Sequence, residues 1–159
     1  MDTRTIDNAL LFGEIEHLIA TGKTVTITTK GESMAPFLLN NKDKVIIEQL
    51  PNGKFKKGMI VIAHLPNKNY VMHRIVAIAK IITLMGDNNN SQEIITPDAI
   101  VGYISSKISQ NGEVICYGSL VWNWFAFWAI VTQRNRTTCT HIYNTIKRFY
   151  KRIKKSIHP

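Results

Sequence analysis

The chain has 159 residues with 20 Lys+Arg against 11 Asp+Glu, a formal charge of +9. That length suits one domain with one sizeable core. The two cysteines, Cys116 and Cys139, form neither a C-x-x-C pair nor a set of four or more, which excludes a disulfide framework and leaves two free thiols.

The charge is uneven. Residues 1–132 hold 12 Lys+Arg and 11 Asp+Glu, whereas residues 133–159 hold 8 Lys+Arg and no acid. A basic tail on a near-neutral body points to an anionic partner, either phospholipid or nucleic acid.

The opening M-D-T-R-T-I-D-N-A-L carries acids where a signal peptide needs a basic region. No cleavable signal or N-terminal anchor is therefore expected. Ile6, Leu10, Leu11, Ile15, Leu18 and Ile19 recur at helical spacing. They predict an amphipathic helix over 6–20, with Asp2 or Thr5 as cap and Gly22 as stop.

From Lys23 the pattern alternates, and six short strands are expected: Thr24–Thr29, Lys44–Gln49, Met59–His64, Tyr70–Ala77, Ile81–Met85 and Ile100–Ile108. Turn residues separate them, at Pro51-Asn52-Gly53, Lys57-Gly58, Pro66-Asn67, Gly86-Asp87-Asn88 and Thr96-Pro97-Asp98. The expected fold is mainly β: a compact, mostly antiparallel body with a short N-terminal helix and a C-terminal helical basic tail. The expected organisation is an N-terminal helix over 1–22, a β domain over 23–113 and an aromatic segment with its tail over 114–159.

Residues 114–133 carry no charge and include Trp122, Trp124 and Trp128. Twenty residues just suffice to span a bilayer as a helix. Tryptophan, however, prefers the interface to the bilayer centre. In the tail, Ile142, Ile146, Phe149, Tyr150, Ile153 and Ile157 recur at helical spacing among the Lys/Arg set. That composition fits a helix lying on an anionic membrane surface. An interfacial anchor, a true span and packing on the protein's own body all remain open for 114–133. The tail's Tyr143, Phe149 and Tyr150 would also suit stacking on nucleic-acid bases. The tryptophan-rich neighbour favours membrane over nucleic acid.

The chemistry turns on Ser33, in K-G-E-S-M-A-P-F-L. A serine hydroxyl needs a base within hydrogen-bond reach to act as a nucleophile at neutral pH. The candidate bases are His17, His64, His73, His141, His158 and the lysines. On a strand from Tyr70 to Ile78, His73 shares a face with Val71, Ile75 and Ala77. A histidine there is ordinarily a packed core residue, so spacing alone leaves its role open. There is no H-E-x-x-H and no matched ligand spacing around His64 and His73, and no G-x-G-x-x-G or phosphate loop. No metal or small-molecule cofactor is expected.

In order, the chain carries G-E-S-M-A-P-F-L, N-K-D-K-V-I-I, K-G-M-I-V-I-A, Y-V-M-H-R-I-V, L-M-G-D-N-N and D-A-I-V-G-Y-I. This succession, over roughly residues 22–108, resembles the type I signal peptidase superfamily, which also contains the self-cleaving repressor proteases. Within it the chain is similar to the branch that uses a histidine base instead of a lysine. The resemblance implies a serine endopeptidase that cleaves a leader or signal-like peptide after small residues. It places Ser33 as nucleophile and His73 as general base, with Asp87 in the conserved box near the site. The histidine branch uses a further acid, and Glu93 stands six residues beyond Asp87. Which of Asp87 and Glu93 assists His73 stays open.

Asp98, in D-A-I-V-G, reads as structural. Gly31 stands where some members have a hydroxyl, so oxyanion donation is expected from the Ser33 backbone alone. Met59 and Lys42 depart from the aspartate and glycine usual at their positions.

A repressor-like switch is disfavoured, because no Ala-Gly or Cys-Gly bond occurs and the N-terminal helix is too short for a helix-turn-helix domain. The alternative to an enzyme is a degenerate member whose tail binds membrane or nucleic acid. The expected location is cytoplasmic, peripheral at the inner face of the membrane, with a peptide or protein as substrate.

Overall fold

The structure is a computed structural model and describes residues 8–66 and 69–132. The basic tail, the capping candidates Asp2 and Thr5, and Asn67 of one expected turn lie outside the described residues. Helix α1 (Asn8–Ala20) ends in a doubly bonded turn. The Gly22 N–H donates to the Ile19 carbonyl at 2.9 Å and the Lys23 N–H to the Leu18 carbonyl at 3.0 Å. Two carbonyls that the helix end would otherwise strand are thereby satisfied.

The chain then runs through β1 (Val25–Thr28), β2 (Lys44–Glu48), β3 (Ile60–His64), β4 (Tyr70–Ile78), β5 (Ile82–Met85), β6 (Gln92–Ile95), β7 (Ile100–Ile108) and β8 (Val114–Cys116), and closes with α2 (Leu120–Val131). The fold is mainly β, and each of the six expected strands is present with its ends moved by one residue at most. Strands β6 and β8 are additions.

Among the described residues the sheet order is β1-β2-β7-β3-β4-β5-β6, with β8 also on β7. Every pairing is antiparallel. Strand β7 is the hub. It pairs with β2 along one edge, and with β3 (Val61↔Tyr103) and then β8 (Ser106↔Cys116) along the other.

Strand β3 is buried from Ile60 to Ala63 because both faces of the sheet are covered. Successive side chains point to opposite faces. Ile60 and Ile62 join Ile15, Ile19, Phe37 and Trp122 in one cluster, while Val61 and Ala63 join Met59, Ile75 and Leu84 in another. Met59, where an aspartate is usual, is thus a core residue.

The span reading of residues 114–133 is corrected here. The stretch is divided between β8, which extends the sheet past the boundary expected at 113, and the 12-residue α2. At 1.5 Å per residue α2 is about 18 Å long, short of the roughly 30 Å hydrocarbon core. No helix among the described residues is long and apolar enough to cross a membrane.

Ser119 caps α2, its Oγ accepting from the Trp122 N–H at 3.2 Å. One face, Trp122, Ala126 and Ala129, is buried on the body. Trp122 meets the Phe37 ring edge-on at 4.9 Å and Phe125 meets it at 5.1 Å.

Candidate active site

Ser33 lies half-buried in the loop between β1 and β2, and side chains tie that loop down at both ends. At its base, Thr29 Oγ1 donates to the carbonyls of Leu39 (2.9 Å) and Asp43 (3.0 Å). Asp43 accepts from the Leu39 N–H at 2.7 Å and from Lys107 Nζ at 3.0 Å. Lys107 also donates to the Phe37 carbonyl at 2.6 Å. The Phe37 ring, four residues after Ser33, lies 5.2 Å from the Arg74 guanidinium carbon and 5.3 Å from Lys107 Nζ. Two buried cations and the α2 aromatics thus fix the loop's apolar anchor. Gly31 sits at φ 91° and the Ala35–Pro36 peptide is cis. A side chain bearing a hydroxyl at 31 would be strained there.

The turn after β5 closes over Ser33. The Asn88 N–H donates to the Ser33 carbonyl at 2.7 Å and the Asn88 side-chain amide donates to the Glu32 carbonyl at 3.2 Å. The second bond matters for chemistry. In the planar trans peptide between residues 32 and 33, the C=O and N–H point in opposite directions. Fixing the Glu32 carbonyl therefore fixes the direction of the Ser33 N–H.

Strand β4 brings in His73, which is 5% exposed. Its Nδ1 is 2.8 Å from Oε2 of Glu93 on β6, the strand beyond β5. An ionised carboxylate only accepts, so Nδ1 is the donor in this contact, and in a neutral imidazole Nε2 is then the acceptor. That Nε2 faces Ser33 across Gly86. A Cβ placed on Gly86 would lie 3.1 Å from His73 Nε2, 3.1 Å from Ser33 Cβ and 2.6 Å from the Ser33 carbonyl oxygen. Ser33 Cβ and His73 Nε2 therefore flank one point, within twice 3.1 Å of each other.

Gly86→Ala is accordingly expected to push the two groups apart, because the closest obstacle is backbone and cannot swing away. Displacements of about 1 Å cost on the order of 100-fold in rate. A kcat loss of that order with the far-UV circular dichroism spectrum unchanged is the expected result, and full activity in the Gly86→Ala protein would contradict the close approach.

The two acids separate cleanly. Asp87 makes a bidentate pair with Arg74, Oδ1 to Nε at 2.8 Å and Oδ2 to Nη2 at 2.6 Å. The third Arg74 bond, Nη1 to the Gly58 carbonyl, is 2.9 Å. Arg74 and Asp87 side chains are 0% and 3% exposed. Asp87 thus serves the interior, and Glu93 is the acid on His73.

Asp98 lies in a single 3-10 turn (Pro97–Ala99). The Thr96 side chain hydrogen-bonds its carboxyl and holds it below the usual aspartate value. Of the other imidazoles weighed, His64 packs on the Tyr70 ring at 4.7 Å and His17 sits in the last turn of α1. His141 and His158 lie outside the described residues.

Three contributors escaped the sequence reading: Arg74 as the partner of Asp87, Asn88 as the clasp on the Ser33 turn, and the Lys107–Asp43 pair beneath it. Asn88 was legible only as part of a turn. The Lys107–Asp43 pair joins residues far apart in sequence, with no spacing to signal it.

A comparison with curated proteins gives no match. A family model, described as Peptidase S24-like, matches residues 5–115. That span takes in the Ser33 loop, β4, the Gly86 turn and β6, and stops short of α2. The chain belongs to the Peptidase S24-like family, and with it to the superfamily of signal-peptidase-like and self-cleaving repressor serine peptidases.

Proposed function

We propose that the protein is a serine endopeptidase of the signal-peptidase type, of the branch with a histidine base, cleaving a leader or signal-like peptide after small residues. The observation that carries this reading is the line Glu93–His73–Ser33, with His73 Nδ1 on Glu93 at 2.8 Å and Nε2 turned to the serine across Gly86.

In this reading Ser33 Oγ attacks the scissile carbonyl carbon as His73 Nε2 takes the hydroxyl proton. The Ser33 N–H, aimed by the Asn88 clasp, donates to the developing oxyanion. As the C–N bond breaks, Nε2 passes its proton to the leaving amine. A water then attacks the acyl ester, giving its proton to Nε2, and Ser33 Oγ leaves with that proton restored. Glu93 keeps the imidazole in the required tautomer and stabilises its charged form between these transfers.

The test is a comparison of the wild-type chain with Ser33→Ala on a peptide library bearing small residues, read by mass spectrometry. Cuts made by the wild type alone are expected. Equal cutting by both proteins would remove Ser33 from the chemistry. Cutting by neither, with both folded, would favour a degenerate member.

A further inference from the structure

Helix α2 buries one face and leaves the other bare. Leu120, Val121, Trp124, Phe127, Trp128 and Val131 are exposed, Leu120 at 89% and Phe127 at 65%. A folded body seldom shows water a continuous helix face of this kind without a partner. Two of the six side chains are tryptophan, the residue most at home where hydrocarbon meets water. The helix ends at Val131, and the 27 residues that follow it from 133 carry 8 Lys+Arg and no acid. Residues 1–132, with 12 basic and 11 acidic side chains, have no surplus of negative charge to neutralise that tail. An occupant must therefore offer apolar depth to α2 and negative charge next to it.

We propose that the exposed face of α2 docks on an anionic phospholipid surface, with the adjoining basic segment binding the headgroups. The apolar side chains enter the headgroup boundary and the cations meet lipid phosphates, so each half supplies what the other lacks. The buried face of the same helix packs on Phe37. Docking would thus bring the Ser33 loop within about one helix diameter, ~10 Å, of the lipid. The serine would then meet peptides presented at the membrane surface. Docking itself does not depend on peptidase activity.

The test uses the full chain and cosedimentation with vesicles of phosphatidylcholine alone or mixed with phosphatidylglycerol. Binding to the mixed vesicles, weakened by added salt, and little binding to the neutral ones are expected. Phe127→Glu should weaken it by about tenfold or more. Reversing Lys147, Arg148, Lys151 and Arg152 to Glu should do at least as much. Ile81→Glu, at an exposed apolar residue of the turn between β4 and β5, should change nothing, and Ser33→Ala should bind like the wild type.

Tryptophan fluorescence of the unmodified chain gives a measure free of folding effects: a blue shift on mixed vesicles, quenched by brominated lipid. Equal binding to both vesicle types, or Phe127→Glu binding as tightly as the parent, overturns the proposal. So does tighter binding to single-stranded RNA at equal salt, or a Phe127-dependent dimer that vesicles do not dissociate.

Discussion

His73→Ala is expected to lower kcat by at least about 10⁴-fold, the scale seen when one member of a serine–histidine unit is removed. Far-UV circular dichroism and the melting temperature should show the fold intact. Glu93→Gln is the finer probe. A glutamine can accept from Nδ1–H, but it carries no charge to stabilise the imidazolium. By rotating its amide it can also present a donor and impose the wrong tautomer. A kcat loss of about 10²- to 10⁴-fold with little change in KM is expected. Glu93→Asp should fall between the two, since the shorter side chain cannot span the 2.8 Å contact from the same backbone position. Steady-state kinetics on any peptide the wild type cleaves would decide. If Glu93→Gln kept full kcat, Glu93 would lose its place as the acid that assists His73.

Arg74→Met is expected to destabilise the fold by about 3–5 kcal/mol, because it leaves the Asp87 carboxylate buried without its partner. Asp87→Leu should be costly in the same way, stranding a guanidinium that is 0% exposed. Against a typical total stability of about 5–15 kcal/mol, either loss should bring much of the chain near unfolding. The double replacement Arg74→Met/Asp87→Leu should recover most of that stability, since removing both charges removes the desolvation cost as well. Urea unfolding of the four proteins gives the comparison. Additive losses in the double variant would show that the pair is not the source of the effect.

Much of the sheet was readable because its strands are apolar on alternating positions and end at turn residues. Strand β6 was missed because Gln92-Glu93-Ile94-Ile95 shows little such alternation, being an edge segment with Ile94 exposed. Strand β8 is three residues long and, among the described residues, pairs only with the end of β7. Helix α2 hid its inner face for another reason. Nearly every position from Leu120 to Val131 is apolar, so Trp122, Ala126 and Ala129 do not stand out from their neighbours. At the site, Ser33 and His73 became a pair only through the order of the boxes, since no spacing shows that a loop and a strand about 40 residues apart meet. The choice between Asp87 and Glu93 needed the sheet itself. Residues of opposite parity on β4 look to opposite sides, and each acid follows the side of its partner.

That parity has a consequence for how the protein fails. His73 and Arg74 are neighbours in β4, one turned to the serine and the other to Asp87. A slip of β4 by one residue against β3 and β5 would turn both to the opposite face: in one direction a permanent cation would take the imidazole's slot, in the other the imidazole would take the arginine's. No partly working intermediate lies between the two alignments. A chain that has closed its sheet in the wrong frame therefore cannot bring Glu93, His73 and Ser33 together, because the two-residue alternation that builds the site permits one alignment alone.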